Sequence, residues 1–186
     1  MDSQNFTHHF LIAMPAMADP HFSGTVTYIC EHNDNGAIGL VVNRPSDTNL
    51  SRLMSDIEIP LHQLEVGEKR VMHGGPVQTD RGFVLHAPLG KWGSSLVVAD
   101  EVAMTTSKDI LVALGAGEGP EDIIVTMGYA GWGAGQLEEE ISANAWLTVP
   151  ADIEVLFRTP VEQRFNAAIC LLGIQPHQLA MMAGHA

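Results

Sequence analysis

The chain has 186 residues, 46% of them hydrophobic and 17% charged, a balance that suits a folded globular chain and excludes a disordered one. That length reads as a single domain over residues 1–186, with no repeat, low-complexity tract or Pro/Gly/Ser linker to divide it. Nine Lys and Arg against 22 Asp and Glu give a net charge of −13. This weighs against direct nucleic-acid contact and against docking on anionic membranes, since both draw their affinity from clustered cations.

The first residues, Met1-Asp2-Ser3-Gln4, are polar, carry no Lys or Arg and lack a signal-peptide layout. The longest apolar runs, such as Ala37–Val42, fall far short of the ~20 residues that span a bilayer. Cys30 and Cys170 both stand in apolar stretches and read as reduced, buried thiols. Together these features predict a cytoplasmic protein with no membrane segment.

Phe10–Ala13 is a short apolar strand closed by Met14-Pro15. Thr25–Cys30 has the β-branched and aromatic composition of a strand, and Ala37–Asn43 follows after His32-Asn33-Asp34-Asn35-Gly36. The Asn35-Gly36 step tolerates positive φ, so the two strands are predicted to pair as an antiparallel hairpin. Leu50, Leu53, Met54 and Ile57 keep helical spacing behind Asn49, a suitable cap. Strands are predicted near Arg70–His73, Gly82–Ala87 and Leu96–Ala99. Ser107 is placed to cap a helix carrying Ile110, Leu111 and Leu114 and stopped by Gly115 and Gly117. Ile123–Met127 is predicted as a strand entering a glycine-rich turn, followed by a helix from about Gln136 to Ala145 and a last strand over Ile153–Phe157. Thr159-Pro160-Val161-Glu162 has the form of a capping box with proline at the first helical position, predicting a helix from Pro160 to about Leu172, ended by Gly173. Strands and helices interspersed, with strand-to-strand links, predict an α+β fold on a mixed sheet.

Four blocks in order, FLIAMPAMADPHFSGTVTYICEHNDNGAIGLVVNRP, HGGPVQTDRGFVLHAP, GYAGWGAGQLEEEISANAWL and EVLFRTP, resemble the bacterial YqgE/AlgH family from about Phe10 to Gly173. The resemblance implies a compact α+β protein built round a mixed, barrel-like sheet with flanking helices. It also brings that family's label of transcriptional regulator, which the acidic balance separates from direct promoter contact.

Several residue groups are candidates for chemistry. Gly131-Trp132-Gly133-Ala134-Gly135 follows a strand and opens a helix, the position of a phosphate-cradling loop. Yet Gln136 is followed by Glu138, Glu139 and Glu140, no lysine follows the glycines, and a structural turn or a recognition surface showing Trp132 and Gln136 fits as well. Gly74-Gly75-Pro76-Val77, with Asp80, Arg81 and His86 downstream, offers a tight loop and one of the few cations for a carboxylate or phosphate; the alternative is an Arg81–Asp80 surface turn. Cys30 and His32 are predicted to share a strand face, which makes a redox-sensitive thiol one reading and an inert buried thiol the other. The nine histidines are scattered without metal-ligand spacing, so neither metal nor cofactor is expected. Ser94-Ser95 lacks a nucleophile-elbow context.

Two functions follow. One is a non-enzymatic regulatory or protein-interaction module displaying Trp132 and Trp92. The other is a small-molecule binder or an enzyme in which Arg44, Arg81, His32 and His86 converge near the GGPV and GYAGWGAG segments. The expected partner is accordingly another protein or a small molecule.

Overall fold

The computed structural model describes residues 4–184; Met1, Asp2 and Ser3, on which the leader reading partly rests, lie outside the described residues. Strand β1 (His9–Ala13) pairs antiparallel with β2 (Val26–Asn33), and β2 turns into β3 (Gly36–Val41) with Asn33 opposite Gly36. The hairpin is present, but its turn residues are Asp34 and Asn35. The Asn33 side-chain oxygen accepts the Asn35 amide at 2.8 Å, so an Asx turn closes the loop one residue early. Next come β4 (Pro45–Asn49) and α1 (Leu50–Asp56), the latter capped by Asn49, whose side chain accepts the Arg52 amide. They are followed by α2 (Leu64–Gly67), β5 (Arg70–His73), β6 (Val77–Ala87), β7 (Ser95–Val97) and β8 (Ala103–Thr105). After these come α3 (Asp109–Gly115), β9 (Asp122–Gly133), α4 (Gln136–Ser142) and β10 (Trp146–Pro150). A π-helical turn over Glu154–Arg158 and a 3-10 turn over Val161–Gln163 lead into α5 (Arg164–Cys170) and α6 (Pro176–Ala183).

The ten strands form one sheet in the order β10-β1-β2-β3-β9-β6-β8-β7, with β4 and β5 branching from β9. Every pairing is antiparallel except β5 on β9, so the sheet is mixed. It curls: Val149 of β10, near one end of the order, and Met104 of β8, near the other, belong to the same buried cluster. Leu156, Ile169 and Leu179 from the C-terminal helical segment fill the inside of that curl. On the outside, α4 sets Leu137 against Trp132, Trp146 and Ile29, while α1 and α3 set Met54 and Ile110 against Val84 and Val125. Each such fully buried aliphatic side chain contributes about 1.5–3 kcal/mol. Among the described residues no helix is long and apolar enough to cross a membrane.

Four expectations need correction. Ile153–Phe157 is no strand: Val155, Leu156 and Phe157 are consecutively buried in one cluster, which alternating strand geometry cannot do and a helical turn can. Thr159 is no cap; its hydroxyl donates back to the Glu154 carbonyl at 3.1 Å, the backbone stays extended through Pro160, and α5 starts only at Arg164. The glycine-rich stretch after Met127 continues as strand to Gly133, because its small residues let β3 lie alongside. Ser107 does not cap α3 either, since its hydroxyl donates to the Asp109 carboxylate at 2.5 Å.

Candidate functional site

Strand β9 explains where one cavity lies. Along one side it pairs with β6 from Asp122 to Tyr129. Along the other, β3 covers Ala130–Gly133 and β5 covers only Thr126 and Met127, so Asp122–Val125 has no strand registered beside it. The segment from Phe157 to Arg164 crosses this gap without closing it, leaving a cavity of about 270 Å³. Ile123, Ile124 and Val125 form one wall, and Leu50 and Met72 another.

Four of the nine Lys and Arg of the chain line this space: Lys69, Arg70, Arg158 and Arg164. Among the described residues no Asp, Glu, His, Cys or Ser lines it. Arg158 is neutralised by Glu154 at 2.5 Å and Asp122 at 3.3 Å. Arg70 bonds the Ser46 carbonyl and, like Lys69, is exposed and takes part in no ion pair among the described residues.

Arg164 is different in kind. It is 6% exposed, donates from Nε to the Thr159 carbonyl at 3.1 Å and from Nη1 to the Val42 carbonyl at 2.6 Å, and forms no ion pair among the described residues. Those two bonds strap the Phe157–Arg164 segment to the end of β3. Burial pulls its guanidinium down to about 10, with nearby Glu162 opposing the shift. A buried cation without a counter-ion is costly unless something compensates it. Three of its five N–H donors make no hydrogen bond among the described residues.

The residues singled out in the sequence do not converge. Arg44 is spent on the carbonyls of Pro20, His21 and Ser23, bracing the loop between β1 and β2. Arg81 donates to Gln78 at 3.2 Å and lies at a second cavity of about 260 Å³ with Lys108. His86 is fully buried; its Nδ1 bonds the Pro88 carbonyl and its Nε2 the Thr105 hydroxyl, and burial lowers its pKa. His32 bonds the Phe6 amide and the Glu138 carboxylate. These four side chains face different surroundings and line no common cavity.

Cys30 and His32 part company because the β2–β3 register shifts between Ile29 and Glu31. That bulge breaks the alternation, so Cys30 joins Tyr28 in the inner cluster while His32 packs on Phe6 on the other side. Burial pushes the Cys30 thiol well up, which makes it inert; Cys170, read as buried, is exposed.

The two glycine-rich segments meet, but backbone to backbone. The Gly74 amide donates to the Met127 carbonyl at 2.9 Å, and a Cβ on Gly75, whose φ is 153°, would stand 2.2 Å from the Tyr129 carbonyl. This is the approach that lets β5 pass to β6 across β9, and it leaves no cleft. Trp132, read as displayed, is 6% exposed and donates to Glu140 at 2.9 Å. Gln136 accepts the Gly133 amide at 3.0 Å and so fills the turn where a phosphate would sit. Trp92 is half-buried. Among the described residues no three His, Cys, Asp or Glu side chains gather as a metal site.

The signals for the Arg164 cavity were present only in part. Lys69-Arg70 is the one adjacent basic pair and EVLFRTP is one of the four blocks, yet nothing in the sequence joins them.

A model of the AlgH-like family matches residues 10–177. A UPF0301 protein of Ralstonia nicotianae is 58% identical over 182 residues, covering 98% of this chain and 96% of its own. One from Chromobacterium violaceum is 51% identical over 186 residues and covers both chains completely. The solution structure of the AlgH protein from Pseudomonas aeruginosa is 51% identical, with a TM-score of 0.80 over 100% of this chain and 98% of that one. A crystal structure of a protein from Corynebacterium diphtheriae shares the fold at 17% identity, with a TM-score of 0.73 over 97% and 93% of the two chains.

Proposed function

The chain belongs to the AlgH-like family, and we propose that it works without catalysis, as a regulatory module that binds a small anion beside Arg164. The observation that carries this reading is a buried, unpaired guanidinium facing a cavity whose lining holds four cations and no acid. The described lining offers no Asp, Glu, His, Cys or Ser as general base or nucleophile, and its one hydroxyl, on Thr159, is engaged with the Glu154 carbonyl, whereas its cations suit it to hold charge. Another protein would read the bound state; the edge strand β7, where Val97 is 62% exposed, is the surface that best suits a partner. A cytoplasmic setting fits the two unbridged thiols. The net charge of −13 supports indirect regulation over promoter contact.

Titration of the whole protein with acetate and with inorganic phosphate, followed through backbone amide resonances, tests the reading. Shifts should concentrate at residues 69–72 and 157–164 and weaken in the double variant Lys69→Gln/Arg70→Gln. Shifts spread over the surface, or confined elsewhere, would refute it.

A further inference from the structure

The shape and donor count of the Arg164 cavity say more than that an anion binds. We infer that its ligand is a small carboxylic acid with a compact apolar body and no amino group, its carboxylate set against the free edge of Arg164. This inference rests on the anion-binding reading above and narrows it to one chemical class.

Size is the first constraint. A cavity of about 270 Å³ that opens to solvent on one side accommodates the whole of a short branched or single-ring acid.

Donor count is the second. With Nε and one Nη1 hydrogen committed to Thr159 and Val42, Arg164 keeps three N–H donors at its end. The Thr159 hydroxyl donates elsewhere, to the Glu154 carbonyl. Three donors from one planar group match the two oxygens of a carboxylate. A phosphate dianion brings three strongly hydrated oxygens and would leave several of their hydrogen bonds unmade in the interior. Lys69 and Arg70 are exposed at the margin, where they attract the anion but cannot replace its water inside.

The walls supply the third constraint. Ile123, Ile124, Val125 and Phe157 are each less than a tenth exposed and bring apolar side chains to the lining, beside the unpaired backbone edge of β9. They reward an aliphatic or aromatic body. Among the described residues no carboxylate lines the space to pair with an ammonium group, so a free α-amino acid would bring one charge without a partner.

Calorimetric titration of the full chain with 3-methylbutanoate, benzoate, 3-methylbutanamide, leucine and inorganic phosphate tests the inference. 3-Methylbutanoate or benzoate should bind at one site per chain, with the neutral amide and leucine each weaker by roughly tenfold or more. Arg164→Lys keeps the charge but loses the fork, and should weaken the acid by about tenfold. Because Arg164 also holds two carbonyls, Val161→Glu provides a second variant. Val161 is half-exposed and lines the cavity, so the new carboxylate should occupy Arg164 internally and abolish binding while the fold is kept. If phosphate binds here and the carboxylic acids do not, the ligand class is wrong and the anion site stands. If leucine binds as tightly as 3-methylbutanoate, the class is also wrong. If no probe binds and no amide of residues 157–164 responds, both readings fall together.

Discussion

Removing the Glu140 carboxylate should destabilise the packing of α4 on the outer face of the sheet. Both indole N–H groups of Trp132 and Trp146 donate to the same Glu140 oxygen, at 2.9 and 2.8 Å, and the Gln136 amide donates to its other oxygen at 3.0 Å. The indoles are 6% and 2% exposed, and their rings meet edge to face at 6.2 Å, so neither can swing out to water without opening the cluster round Leu137. A buried donor left unpaired costs about 1–3 kcal/mol, so two give about 2–6 kcal/mol. Glu140 itself is half-exposed, and water entering the vacated space would recover part of this, placing Glu140→Ala near the lower end, about 2–3 kcal/mol. Taking an m-value of about 2–3 kcal/mol/M, the urea midpoint should fall by about 1 M. Far-ultraviolet circular dichroism is the appropriate probe, because the substitution changes tryptophan emission directly. Glu140→Gln keeps a carbonyl oxygen for the indoles and should cost less than about 1.5 kcal/mol. Were Glu140→Ala to unfold within about 0.5 kcal/mol of the wild type, the carboxylate would not be what holds the two tryptophans.

Three further outcomes follow from local geometry. With a thiol reagent at neutral pH the folded protein should yield one reactive cysteine, Cys170, and a second only on unfolding; rapid reaction of both would contradict the burial of Cys30. Gly75→Ala should prevent stable folding, since its Cβ would fall 2.2 Å from the Tyr129 carbonyl, whereas Gly135→Ala, at φ 74° in open space, should cost only about 1–2 kcal/mol, both read from thermal melts. Burial holds His8 and His86 below the ordinary imidazole range, and His9 adds to the effect at His8. The unfolded chain then takes up protons near pH 6.5 that the folded one refuses, so stability should decline as pH falls below about 6.5. His86→Gln should flatten that decline, and an urea midpoint constant from pH 7 to 5.5 would refute the linkage.

The sequence made the fold class and much of the framework readable. Asn49 capping α1, the β2–β3 hairpin and the strand at Arg70–His73 each follow from local chemistry that the tertiary structure respects. What stayed hidden depends on distant partners. The apolar run at Val155–Phe157 suits a strand or a helix equally, and only the interior of the curled sheet decides between them. One bulge after Ile29 separated Cys30 from His32, a single extra residue that no pattern announces. Likewise, Arg164 sits amid an ordinary amphipathic stretch, and its burial emerges only when it reaches Val42, 122 positions earlier.

That reach has a consequence for how the protein is made. Strand β9 must find Met72 and Phe83 on one strand neighbour after another, and the cavity beside it stays unfinished until the chain has emerged past Arg164. At a synthesis rate of about 5–20 residues per second, several seconds separate Val42 from the residue that braces it. A chain stalled before Arg164 would therefore show a nearly full sheet with the gap beside Asp122–Val125 still unbridged.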